Sequence, residues 1–139
     1  MGKRTNETET ETEDEATGLT KAQVEQLRRA LEEERGRILG KLREHLSTAI
    51  EDDAALTDEM DQATRAESQA YLLRLADKER KLLKEIDAAL DRMAAGAYGL
   101  CEGTGEPIGF RRLAARPWAR HSIAYKEELE REERGTSRS

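Results

Sequence analysis

Two stretches of this chain place apolar residues at alternating steps of three and four over many helical turns. In the first they are Val24, Leu27, Leu31, Ile38, Leu42 and Ala49, with His45 at one position of the stripe and Glu34 interrupting it. In the second they are Leu72, Ala76, Leu83, Ile86, Leu90 and Met93, with Glu79 among them. This spacing puts a narrow stripe on one side of an α-helix, which is a coiled-coil seam rather than the broad face of a globular core. A helix does not bury its own seam, so each stripe needs a partner. The pattern predicts one helix from Thr20 to about Asp53, about 50 Å long at the usual rise, and a second from the Thr57–Thr64 region to Ala95.

The ends of both helices are marked. Thr20 is an N-cap with Gln23 three residues on, which makes a capping box, and Leu19 and Val24 suit a hydrophobic staple. Ala94-Ala95-Gly96 ends the second helix, with Gly96 suited to the left-handed position after it. The connection is short, and short connections join antiparallel neighbours. The predicted fold is therefore mainly α: a long antiparallel helical hairpin over 19–96, with its tip near 54–63. Pairing between two chains is the alternative the spacing leaves open. From Glu51 to Asp61 the chain carries six acids (Glu51, Asp52, Asp53, Asp58, Glu59 and Asp61) and no base. Asp58 and Asp61 are three apart, so on a helical turn they project from one face.

Composition enters as a limit on the rest. Charged residues are 39% of the chain and apolar ones 36%, a balance suited to an elongated helical protein rather than a large globule. The formal net charge is -6, and much of it lies in the Thr-Glu repeats before residue 18, so 1–18 is read as a disordered acidic tail. One cysteine rules out an internal disulfide, and no membrane-length apolar run or leader pattern is seen, so a soluble cytoplasmic protein with no membrane partner is expected. From Ala97 to Trp118 the apolar residues leave helix spacing, punctuated by Gly99, Gly103, Gly105, Gly109 and Pro107, which predicts a turn-rich segment with a small hairpin. A last helix is expected from Pro117 to about Arg134, with Ile123, Tyr125 and Leu129 facing inward, and 135–139 as a frayed tail. No Ser/His/Asp, Cys/His or phosphate-loop arrangement appears, so the chain is read as non-enzymatic. Arg111, Arg112, Arg116 and Arg120 have no recognition-helix motif beside them, so direct sequence-specific DNA binding is not expected.

Two separated motifs carry a resemblance. Asp58-Glu-Met-Asp61-Gln-Ala63 resembles the tip of the DksA/TraR family, and the stretch from Tyr98 to Pro117 resembles that family's zinc-finger signature, in the matching register. The resemblance implies a degenerate zinc-finger-like end domain over 97–134. The four family cysteine positions hold Cys101, Thr104, Ser122 and Tyr125. Three of these are poor zinc ligands, so this chain looks like one of the family's zinc-independent members. The family implies a transcription regulator that binds RNA polymerase directly and inserts the hairpin into the secondary channel. Its effector residues would be Asp58, Asp61 and Ala63, and Arg74 and Lys78 would meet the channel rim. The alarmone ppGpp, signal of the stringent response, would meet Lys78, Lys81, Arg116 and Lys126. Glu85 stands where the family has a further base, and a carboxylate there opposes phosphate, so the ppGpp response is expected to be weak. A monomer is expected, because a hairpin buries its seam without a second chain. Without the two motifs, the helices alone would read as a structural or adaptor coiled coil with some other basic partner.

Overall fold

Thr20 starts the first helix by reciprocal hydrogen bonding. The Gln23 backbone N–H donates to Thr20 Oγ1 and the Thr20 N–H donates to Gln23 Oε1, both at 3.0 Å. Helix α1 follows as Lys21–Ala54 and α2 as Glu59–Ala94. Helix α2 closes as a Schellman motif: Gly96 has φ 72°, its N–H reaches the Met93 carbonyl at 3.2 Å, and the Ala97 N–H reaches that of Arg92 at 2.8 Å. Two shorter helices complete the secondary structure, α3 (Phe110–Ala115) and α4 (Ile123–Arg138). A computed structural model describes residues 13–54 and 59–138, and their side chains except those of 52–54, 59–61 and 137–138. Among the described residues there is no strand beyond two isolated bridges, Glu13 with Thr20 and Leu100 with Pro107. No helix is long and apolar enough to cross a membrane.

The chain divides into two units, one of Glu32–Asp87 and the other of the residues up to Leu31 together with those from Ala88 onward. The Glu32–Asp87 unit is a helix pair within one chain. Arg35 pairs with Asp87 at 2.7 Å, His45 with Glu79 at 2.9 Å, and Gln69 Nε2 donates to the Ala49 carbonyl at 2.9 Å. As one partner's number rises from 35 through 45 to 49, the other's falls from 87 through 79 to 69, so the helices are antiparallel. The predicted seam is the buried face: Ile38, Ala49, Ala76 and Ile86 are buried, and Leu42, His45, Leu72, Glu79 and Leu83 are half-buried. Glu34, the interruption, is half-buried and held by Arg37, whose hydrogen bond keeps the carboxyl below its usual range.

In the other unit the buried apolar side chains are Leu19, Leu27, Leu31, Ala89, Tyr98, Cys101, Ile108, Leu113 and Ala119. The turn segment is a tight hairpin in which the Cys101 N–H donates to the Glu106 carbonyl at 2.7 Å and the Ile108 N–H to that of Gly99 at 2.9 Å. Tyr98 spans the unit, its hydroxyl donating to the Pro117 carbonyl at 2.7 Å. Burial pushes its phenol well above the usual range, against the opposing charge of Arg92.

Several expectations are corrected here. Residues 13–18 are not a disordered tail. The Asp14 N–H donates to the Leu19 carbonyl at 2.8 Å and the Leu19 N–H to Thr17 Oγ1 at 3.2 Å, and Thr17 is buried. Thr17 and Leu19 lie against Gly99, where an added Cβ would stand 3.0 Å from Leu19 Cδ1 and 3.2 Å from Thr17 Cγ2. The earlier part of that tail, residues 1–12, lies outside the described residues. Helix α3 was not anticipated, and the last helix begins at Ile123 rather than Pro117. Residues 116–122 are tied down as a connection instead, with the Ala119 N–H on the Arg116 carbonyl and the Glu102 N–H on that of Arg120, both at 2.9 Å. Helix α4 also continues through Gly135 to Arg138. One helical glycine costs only about 1 kcal/mol, and Thr136 Oγ1 bonds the Glu132 carbonyl at 2.5 Å. Ile123, expected inward, is 53% exposed. Tyr125, also expected inward, is only half-buried, and Tyr98, Cys101, Ile108 and Leu113 are the buried side chains of the turn segment and α3.

Candidate functional site

The residues singled out in the sequence fall on two surfaces and on the four positions that the resemblance matches to zinc ligands. Asp58 lies outside the described residues. Asp61 falls in the first turn of α2, and its side chain is outside the description. Ala63, two residues on, is exposed. Further along α2, Arg74, Lys78 and Lys81 are exposed on one row of the helix, at steps of four and three. Lys81 is held by Asp77 at 3.1 Å. Glu85 continues the row and is half-buried. Arg116 is exposed and Lys126 half-buried, and both belong to the other unit.

The four positions that the resemblance matches to zinc ligands are each put to structural use. Burial pushes the Cys101 thiol up. Hydrogen bonds from the Thr104 side chain and from the N–H groups of Ser122, Thr104 and Gly103 outweigh that and bring it down to about 7 from its ordinary value of 9.0. Thr104 Oγ1 also accepts from the Glu106 N–H at 3.2 Å. Ser122 caps α4, its Oγ accepting from the Tyr125 N–H at 3.3 Å. The Tyr125 ring packs directly on Gly103, where a Cβ would overlap it, and meets the His121 ring at a centroid distance of 5.1 Å. One thiol, two hydroxyls and a phenol are not the donor set of a four-cysteine zinc site. Among the described residues, no group of three or more His, Cys, Asp and Glu side chains is placed to hold a metal ion.

The thiol has a measurable consequence. Its folded-state value is depressed, so the stability it contributes is complete above about pH 9 and is lost as pH falls through about 7. Thermal melts at pH 7 and pH 9 should therefore show the gap between the parent chain and Cys101→Ala widening at the higher pH. A gap that stays constant would mean that the surrounding N–H groups do not favour the thiolate.

Two features escaped the sequence reading. His45 and Glu79 were each legible as seam positions, but nothing in one dimension pairs them. Tyr71 stands three residues before Arg74 on the exposed row, and the only signal for it was that it lies off the seam.

Comparison with known proteins follows the same division of the chain. Residues 23–93 match the family described as "DnaK suppressor protein DksA, N-terminal domain". This chain belongs to the DksA family. Residues 96–131 match the prokaryotic dksA/traR C4-type zinc finger, although one cysteine of the four is present. The RNA polymerase-binding transcription factor DksA of Caulobacter vibrioides (strain NA1000 / CB15N) is 47% identical over 90 residues, covering 65% of this chain and 61% of that protein. The chain thus spans about three fifths of that relative's length. The protein of the same description from Escherichia coli (strain K12) is 37% identical over 102 residues, covering 73% of this chain and 67% of that one. Among solved structures, transcription factor DksA2 from Pseudomonas aeruginosa is similar with a TM-score of 0.76 and 40% identity, over 82% of this chain and 88% of that one. This DksA family member thus matches the family over both its helical pair and its end unit, with one cysteine in the latter.

Proposed function

We propose that this chain is a non-enzymatic transcription regulator that binds RNA polymerase directly and inserts its acidic hairpin tip into the secondary channel. The observation that carries this reading is the family match across both the helical pair and the end unit, over 23–93 and 96–131. In this reading Asp58, Asp61 and Ala63 act near the catalytic centre of the polymerase, and Arg74 and Lys78 hold the rim. The protein acts as a monomer in the cytoplasm, without sequence-specific contact to DNA. The helix pair that closes within one chain supports the monomer.

The end unit holds its fold without zinc, because Tyr125, Ser122, Thr104 and the donors around Cys101 do the work of the absent thiolates. Melts run with and without chelator should superimpose. ppGpp has little effect through this protein, since Glu85 brings a carboxylate to the row of Lys78 and Lys81.

The decisive experiment mixes the full chain with core RNA polymerase and separates the complex by gel filtration. A one-to-one complex is expected, displaced by a competing secondary-channel protein. Absence of a complex, or a complex indifferent to the competitor, would overturn the reading.

A further inference from the structure

The outward row of α2 carries a feature that neither the tip nor the rim bases account for. Tyr71 is 56% exposed although it sits in the middle of a long helix. It precedes Arg74 by three and Lys78 by seven, so the three side chains lie along one strip about 10 Å long. Leu73 is similarly exposed, at 53%, but stands roughly 160° around the helix from Tyr71 at 3.6 residues per turn. The seam residues Leu72, Ala76, Glu79 and Leu83 occupy the face turned to α1, so the strip is not part of the helix pair.

Among the described residues, the side chains of Tyr71, Arg74 and Lys78 make no hydrogen bond or ion pair with the rest of the chain. Lys81, next on the row, does: Asp77 neutralises it at 3.1 Å. The two cations with no carboxylate of their own are therefore the two beside the exposed ring. An aromatic side chain with low conformational entropy, followed on its row by two cations and preceded one turn earlier by the exposed Glu67, has the aromatic and arginine enrichment of an interface hot spot. The charge specifies the partner, which must present carboxylates spaced to meet Arg74 and Lys78, with an apolar depression for the ring between or beside them.

We infer that Tyr71 is the anchor of the docking strip, seating its ring in an apolar depression on an acidic surface of RNA polymerase while Arg74 and Lys78 pair with carboxylates around it. This rests on the proposed function for its partner but assigns the strip a residue and a mode of binding of its own. Arg74 and Lys78 set the encounter and its salt dependence. Tyr71 sets the residence time, because desolvation of a central aromatic ring acts mainly on dissociation.

The test is the affinity of the full chain for core RNA polymerase, measured for the parent, Tyr71→Ala, Tyr71→Phe, Leu73→Ala and Arg74→Ala. Tyr71→Ala should weaken binding about tenfold or more through faster dissociation, in line with loss of a hot-spot side chain. Tyr71→Phe should restore most of the affinity, and Leu73→Ala should stay within about twofold of the parent. Arg74→Ala should reduce both affinity and its dependence on salt. Tyr71 is exposed and without internal bonds, so helix content and melting of its variants should match the parent. Parent-like affinity of Tyr71→Ala beside a weakened Arg74→Ala would overturn the anchor while leaving the proposed function standing. A parent chain that does not bind polymerase would remove both. Concentration-dependent self-association that Tyr71→Ala abolishes would also overturn the inference, by placing a second copy of this chain on the strip.

Discussion

Replacing Asp58 and Asp61 together by Asn is expected to abolish the protein's effect on transcription while leaving its affinity for RNA polymerase within about threefold of the parent. Asn keeps the size and most of the hydrogen bonding of Asp and deletes only the charge. Asp61 lies thirteen residues before Arg74 on α2, roughly 20 Å along the helix at 1.5 Å per residue. The docking strip is therefore untouched by a change at the tip. The cost to folding is small. A carboxylate in the first turn of a helix is worth about 0.3–1 kcal/mol against the helix dipole, so the variants should melt close to the parent. Ala63→Thr, which adds bulk where close approach is needed, should behave as the double variant does. Binding and in vitro transcription on the same preparations check the result. Full transcriptional activity of the double variant would remove the tip mechanism, and complete loss of binding would make the tip an anchor.

His45→Ala is expected to destabilise the helix pair by about 1–3 kcal/mol, the cost of leaving a buried acceptor without its donor. Glu79 is 12% exposed and His45 24% exposed, and His45 Nδ1 lies 2.9 Å from one carboxylate oxygen and 3.0 Å from the other. Removing the imidazole leaves the Glu79 carboxyl group in the seam without the partner it has in the parent. Removing both polar groups is a different matter. His45→Leu with Glu79→Leu should recover most of the loss and can exceed the parent, because replacing both partners of a buried polar contact by apolar groups of similar shape is often neutral or stabilising. Thermal unfolding of the parent, both single variants and the double one measures the coupling directly. Single-variant losses that simply add in the double one would mean that the pair contributes nothing as a pair. A polar pair at one level of a seam also fixes helix register, since sliding either helix by one turn separates the partners.

The helix pair was legible before any coordinates because its signals are local and one-dimensional. The steps of three and four from Val24 to Ala49 and from Leu72 to Met93 are the residues that are buried or half-buried. The capping box at Thr20 and Gln23 and the left-handed Gly96 depend on neighbours within a few positions. The antiparallel direction followed from the short connection. The two family motifs were readable for the same reason, as short patterns at fixed spacing.

The end unit was read less well, and the reason is the range of its contacts. Whether Pro117 starts a helix depends on Tyr98, nineteen residues away, which takes the Pro117 carbonyl. Whether Thr17 belongs to a tail depends on Gly99, whose bare Cα leaves room for the Thr17 and Leu19 side chains. The acidic repeat before it gives no hint of that anchor.

By itself, then, the sequence determined the helices, their seam and their caps, because periodicity and capping act within a few residues of chain. Tertiary structure decided which seam residues meet, as in His45 with Glu79 across 34 positions. It also decided how Cys101 is surrounded by N–H donors from Gly103, Thr104 and Ser122, and which aromatic ring is left facing solvent beside two cations. Those outcomes depend on the register between elements and on burial. A linear pattern does not encode either, because the same residue in the same local sequence can be covered or exposed by what folds against it.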